Sequence, residues 1–333
     1  MKFSATGAFQ SLFISTLLSL LWVGAANAQW LKASRTLMGT QVSVEIWSED
    51  IVTGRDAIEK VFAEIERLDL MMNPWNVESE LARINREAAL HPVTTTAEII
   101  TVIDKALYYS RLSDGAFDIS FASVGQYYDY REGKSPDAKK LASERENIDF
   151  RTIELDVADS TIRYTKPGLQ IDLGGIAKGY AVDRGIGILQ ELGIESAVIA
   201  AGGDSRILGS MADRPRIIGI RHPRKKNEHA VLMPLVDTAI STSGDYERYF
   251  VKDGIRFHHI LEPSTGEASR GVQSASVIAA YALDTDALST TVFVLGVERG
   301  LELVNRLEGV DAIVIDGEGK LHYSQELLLS TRP

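Results

Sequence analysis

Between residues 41 and 46, Val42, Val44 and Ile46 alternate with Gln41, Ser43 and Glu45, the two-residue period of a half-buried strand. Ile58, Val61, Ile65 and Leu68 then recur at three- and four-residue spacing with charged residues between them, which predicts an amphipathic helix. Thr95 and Glu98 stand at capping-box spacing ahead of Ile99, Val102, Ile103 and Ala106, so a second helix is expected there, with Gly115 placed to follow its end. Residues 132–147, opening with Glu132, Gly133, Lys134, Ser135 and Pro136, are the most loop-like part of the middle of the chain. Apolar runs at 162–165 and 169–173 flank Lys166, Pro167 and Gly168 and predict a hairpin. A helical pattern follows from about 176 to 192 and stops at Gly193, and the apolar stretch 197–200 runs as a strand into Gly202, Gly203 and Asp204. Strands over 276–280 and 313–315, with a helix from about Asp284 between them, complete the pattern. Helices and strands are mixed, with strands often paired, and no internal repeat is visible; the fold class is α+β rather than a regular βαβ alternation.

The first 28 residues change that picture only at one end. They carry one charge, Lys2, then an apolar centre that includes 12–14 and 17–23, and they finish on Ala26, Asn27 and Ala28. This is the pattern of a cleavable secretory signal, with cutting expected before Gln29. An uncleaved anchor is the competing reading, but the apolar centre is shorter than the roughly 20 residues that span a bilayer. The expected organisation is therefore a signal peptide over 1–28 and one functional domain over 29–333.

The chain has 333 residues and is 45% hydrophobic, enough for a sizeable core, and 46 acidic against 35 basic residues give a net charge of -11. That balance argues against a nucleic-acid binder held by phosphate contacts, since such a protein needs a basic face. A polyphosphate ligand would need a metal ion to supply the missing positive charge. The sequence contains no cysteine, which excludes disulfides, thiolate zinc sites, iron-sulfur clusters, a cysteine nucleophile and a lipid anchor on cysteine. None of the six histidines, His91, His222, His229, His258, His259 and His322, falls in a helical metal-binding pair.

Three segments carry candidate chemistry. In the run from Asp172 to Lys178, Gly174 and Gly175 separate a strand from a helix, a geometry that suits a phosphate at the helix start; the alternative is a tight turn with a solvated Lys178. Asp286 and Thr290 lie one helical turn apart and can offer hard oxygen ligands to Mg²⁺, although plain N-capping explains the same residues. His258 and His259 precede a turn built on Pro263, Ser264, Thr265 and Gly266, where imidazole suits proton transfer near neutrality and a structural role competes. The polar stretch from Ser241 to Tyr246 lies just upstream and reads as a loop facing the same cleft.

Taken together these segments resemble the ApbE family of flavin transferases, the FAD:protein FMN transferases. The matching pieces, in order, are Leu37 to Thr40; Trp75 with Glu78 to Asn85; Gly115 to Asp118; Asp172 to Tyr180; Gly202 to Asp204; Ser241 to Tyr246; His259 to Gly266; and Asp286 to Thr290. The resemblance implies a mixed fold with largely antiparallel sheets and a cleft for FAD. It also implies a reaction dependent on Mg²⁺, or on Mn²⁺, in which the FMN moiety of FAD passes to a Thr or Ser hydroxyl of a target protein as a phosphoester and AMP leaves. It assigns the metal to the carbonyl of Gly175 and the side chains of Asp286 and Thr290. Met38, Trp75, Ala116, Phe117, Asp118, Asp172, Lys178 and Ile260 are assigned to the FAD site, and His259 to catalysis.

Beside those assignments, Asp204 is expected to assist His259, Trp75 and Phe117 offer flat surfaces for ring stacking, and Asp118 and Asp172 are suited to reading polar edges. Glu262 stands where the family usually has Asp, which changes the hydrogen bonding expected in that turn. Many relatives are lipoproteins anchored through cysteine; this chain implies instead a soluble periplasmic protein acting on an exported or membrane redox subunit. Two competitors remain: a metal-dependent FAD pyrophosphatase and a non-catalytic flavin-binding protein.

Overall fold

The computed structural model describes residues 28–211 and 214–330, so the secretory segment read from the sequence lies, but for Ala28, outside the described residues. Eight strands form the main sheet: β1 (Gln29–Leu37), β2 (Thr40–Ser48), β3 (Ala197–Ala201), β4 (Asp204–Leu208), β5 (Ala239–Gly244), β6 (Val272–Ala279), β7 (Asp311–Asp316) and β8 (Leu321–Tyr323). Spatial order follows chain order, and every neighbouring pair is antiparallel. The period-two reading of β2 holds, with Val42, Val44 and Ile46 fully buried. All eight residues of β6 are buried, because both faces of the sheet are covered there.

On one face lie α1 (Ile51–Met72), α4 (Ala177–Glu191) and α5 (Ala282–Val304), packed side by side over the main apolar core; α2 (Glu80–Glu87) and α3 (Ala97–Leu112) flank them. On the other face a smaller cluster of Ile207, Ile240, Ile278 and Ile313 packs beneath Ile220 and Leu235 of the hairpin Arg216–Arg221 and His229–Leu235. Two glycines set the helix layer. A Cβ at Gly179 would fall 2.1 Å from the Ala282 carbonyl oxygen, and one at Gly185 2.7 Å from Ile199, so α4 reaches α5 and the sheet only without side chains at these positions.

Several local expectations are revised. Thr96, not Thr95, caps α3 by accepting from the Ile99 N–H; Glu98 instead accepts from Tyr180 Oη and pairs with Arg67, so no capping box forms. Inside the segment read as loop, Ala138–Arg145 is a helix capped by Asp137. Thr161–Tyr164 pairs with Ile153–Asp156 rather than with 169–173. Residues 169–173 join no ladder: Asn85 Nδ2 donates to the Ile171 carbonyl at 2.9 Å while Asn85 Oδ1 accepts from the Ile171 N–H at 2.8 Å. One side-chain amide thus takes the place of a neighbouring strand. The polar residues Ser241 to Gly244 form strand β5, where Ser241 hydrogen-bonds Thr285 and Ser243 bonds Ser289 and Thr290 of α5.

Candidate functional site

A cleft of about 750 Å³ opens between the helix layer and the loops around 116–130 and 247–263, and every residue assigned to metal, FAD or catalysis from the sequence lines it, whereas His258 does not. Met38 comes from the β1–β2 turn. Trp75 sits on a lip after α1, 71% exposed, whereas Phe117 is buried. Met38 and Gly39 both have positive φ, 50° and 68°, the backbone of a two-residue hairpin turn that usually takes Asn-Gly. The Asp69 carboxylate accepts from the Met38 N–H at 2.7 Å and holds this turn against the cleft.

At the floor, the Lys178 ammonium lies 2.6 Å from Asp204 Oδ2 and 3.2 Å from both oxygens of Asp286, and the Gly179 N–H donates to Asp286 Oδ2 at 3.0 Å. Three elements converge on this cluster: α4 brings Lys178, β4 brings Asp204 at the end of the Gly202–Gly203 turn, and α5 brings Asp286. Two buried carboxylates against one ammonium leave an excess of negative charge. Burial and then the neighbouring Asp204 push the Asp286 carboxyl well above the usual carboxylate range. Burial opposes the charge on Lys178, but Asp204 and Asp286 outweigh it and raise its pKa.

Of the two sequence readings of 172–178, the tight turn forms at 174–176, but Lys178 is held by carboxylates rather than solvated. At the start of α4 the Ile176 and Ala177 amides donate to the Leu173 carbonyl and the Gly179 amide donates to Asp286. Capping of α5 is also settled, since the Ala282 and Leu283 amides donate to Asp183 of α4, both at 2.9 Å, which leaves Asp286 free of that duty. Asp118 spends its oxygens on the Ser120 amide and hydroxyl and on the Phe150 amide, so it shapes the cleft wall instead of offering a free edge to a ligand. Asp172 Oδ1 accepts from the Gly174 N–H at 2.6 Å, and burial raises its pKa.

A divalent cation fits the chemistry of this floor. The excess negative charge beside Asp286 is what such an ion neutralises, and the hydroxyls of Thr290, Ser243 and Ser289 adjoin one another. A Cβ at Gly175 would lie 3.1 Å from the Phe117 ring and 3.7 Å from Thr290 Oγ1, so the glycine backbone approaches Thr290 closely. Among the described residues no group of three or more His, Asp or Glu side chains could hold a metal alone. The remaining donors must be hydroxyl, carbonyl and ligand oxygens.

The two histidines separate by role. His258 is buried, with Nε2 on the Ser269 carbonyl at 2.8 Å and Nδ1 accepting from the Ile260 N–H, so it serves the loop. His259 lines the cleft, its Nδ1 buried with no hydrogen-bond partner. Burial, helped by Arg248, His258 and Lys178, lowers its pKa to about 3 and keeps the imidazole neutral. The following turn closes on its main chain, with Thr265 and Gly266 donating to the Glu262 carbonyl, while the Glu262 carboxylate accepts from Ser264 Oγ.

Sequence reasoning gave no role to Asp69, Asn85 or Arg248. Asn85 and Arg248 stand inside or beside quoted motifs, but nothing periodic marks them; their partners lie far away in the chain. The ApbE family profile matches residues 38–314. The FAD:protein FMN transferase of Treponema pallidum is 32% identical over 315 residues, covering 88% of this chain and 86% of that protein. Among solved structures, the ApbE protein of Thermotoga maritima superposes with a TM-score of 0.84 at 32% identity, covering 92% of this chain and all of the other. The flavin transferase ApbE of Vibrio cholerae gives a TM-score of 0.81 at 25% identity over 91% of this chain and 99% of that one.

Proposed function

The chain belongs to the ApbE family, and on that premise we propose that it transfers the FMN moiety of FAD to a hydroxyl of a target protein, with Mg²⁺ or Mn²⁺ bound at Asp286. The observation that carries this reading is the Lys178, Asp204 and Asp286 cluster, an under-neutralised anionic floor in the same cleft as a neutral, unpartnered His259.

In the reaction, the Thr or Ser hydroxyl oxygen of the target attacks the phosphorus on the flavin side of the pyrophosphate. The bond from that phosphorus to the bridging oxygen breaks, and AMP leaves with the bridging oxygen and its electron pair. The imidazole of His259 takes the hydroxyl proton, a role that requires the neutral ring described above. Asp286 and Thr290, with the Gly175 carbonyl, would hold the cation, which when bound neutralises charge on the pyrophosphate. Lys178 holds Asp204 and Asp286 in position. Trp75 on the lip and Phe117 in the wall give apolar ring surfaces to the nucleotide, and Met38 and Ile260 complete the lining.

The pattern of residues 1–28, and nothing further, supports periplasmic action on an exported or membrane redox subunit. Incubation with FAD, MgCl₂ and a candidate acceptor domain is expected to release AMP and to add the mass of an FMN phosphoester to the acceptor. Free FMN with an unlabelled acceptor would replace the reading by pyrophosphatase action, and FAD binding without AMP would replace it by a carrier role.

A further inference from the structure

Two side chains lining the cleft carry a fixed positive charge, Lys178 and Arg248. Lys178 is already shared between two buried carboxylates. Arg248 forms none of the ion pairs found among the described residues; its guanidinium Nη2 donates to the Gly39 carbonyl at 3.3 Å, across the cleft from its own loop. The Arg248 main-chain carbonyl accepts from the His259 N–H at 3.1 Å, so the same residue anchors the backbone of the proton acceptor. Asp172 feels the Arg248 charge but makes no direct ion pair with it, so the fork of donors stays available to a phosphate.

We infer that Arg248 is a substrate-binding residue that grips the phosphoryl group being transferred and holds it beside His259. The inference rests on the transferase reading above. The phosphate must come close to His259 for the proton to pass, and Arg248 joins the His259 loop to the Met38–Gly39 turn on the opposite side. The close approach is built in: Gly39 has φ +68°, and a Cβ there would lie 3.1 Å from Arg248 Nη2. Gripping the phosphate means exchanging the single weak bond to Gly39 for charge-assisted bonds to an anion.

The competing role is a strut that merely ties the two loops together, and ligand choice separates the two. Binding of FMN and of riboflavin, which differ by one phosphate, and of FAD is measured by flavin fluorescence for the purified wild-type protein and for Arg248→Gln and Arg248→Lys, all with MgCl₂. The wild type is expected to prefer FMN. Arg248→Gln should lose roughly ten- to hundredfold of that preference while keeping its riboflavin affinity. Arg248→Lys should retain part of the preference. Transfer from FAD should fall by on the order of 10²–10³ in kcat/KM for Arg248→Gln. Equal losses for both flavins would assign Arg248 the strut role, and an unchanged preference would remove it from the phosphate site; either result overturns the inference. A wild type that bound FAD but showed no preference for FMN over riboflavin would overturn the inference alone, whereas one that bound no FAD would bring down the transferase reading and the inference with it.

Discussion

Asp286 carries the most demanding assignment of any single side chain. Its carboxylate is 3% exposed, lies against Asp204 and receives one ammonium and one amide. Added Mg²⁺ should raise the melting temperature of the wild type but not of Asp286→Asn, and transfer by the variant should fall by on the order of 10³. His259→Asn should keep FAD binding and slow transfer by roughly 10²–10⁴. The same histidine predicts a stability profile. Its pKa of about 3 in the fold lies below the ordinary value of 6.5, so its contribution is complete above pH 6.5 and is lost as pH falls toward 3, where the unfolded chain binds the proton first. His259→Asn should therefore flatten the acid limb of the unfolding free energy, measured by urea titration, by at most about 1.4 kcal/mol per pH unit. Met38 occupies backbone that favours Asn or Gly. Met38→Asn should gain about 0.5–1 kcal/mol in urea unfolding and weaken FAD binding, separating the demands of the turn from those of the cleft.

At the level of elements, the contact between α4 and α5 positions the floor of the site. Gly179→Ala would drive a methyl group into the Ala282 carbonyl and Asp286, and should cost about 3 kcal/mol or more along with activity. Gly187→Ala, on the same helix with open space around it, should instead stabilise by about 0.5–1 kcal/mol; the pair is read by thermal unfolding. The elements themselves were largely legible, because β2 and α1 are written in local periods of two and about 3.6. What the sequence hid were partners distant along the chain. Asp183 caps α5 from 99 and 100 positions away, and nothing local distinguishes it from an ordinary helix-surface acid. The alternation of Leu169, Ile171 and Leu173 correctly signals extended, buried backbone but cannot say that its neighbour is the Asn85 side chain rather than a strand. Polarity misled at 241–244, since those hydroxyls find partners on α5 and need no solvent.

Across the molecule, residues scattered from Met38 to Thr290 meet in one cleft, and spacing alone does not reveal that convergence. Motif order brought forward residues that line one cleft. It did not show that Asp118 is spent on Ser120 and on the distant Phe150 amide, or that Lys178 faces carboxylates. Those outcomes depend on charges and amides brought together by the antiparallel order of the whole sheet.

The hold on Ile171 through Asn85 makes the segment leading to Asp172 and Gly175 depend on the difference between a nitrogen and an oxygen. A carboxylate could still accept from the Ile171 N–H, but it would set a second lone pair against the carbonyl that now receives a donor. The single atom exchanged between amide and acid therefore decides whether this segment stays seated. Asn85→Asp should cost roughly 1–3 kcal/mol in urea unfolding and release the nucleotide floor first, a loss visible as faster amide exchange at 169–175 before global unfolding.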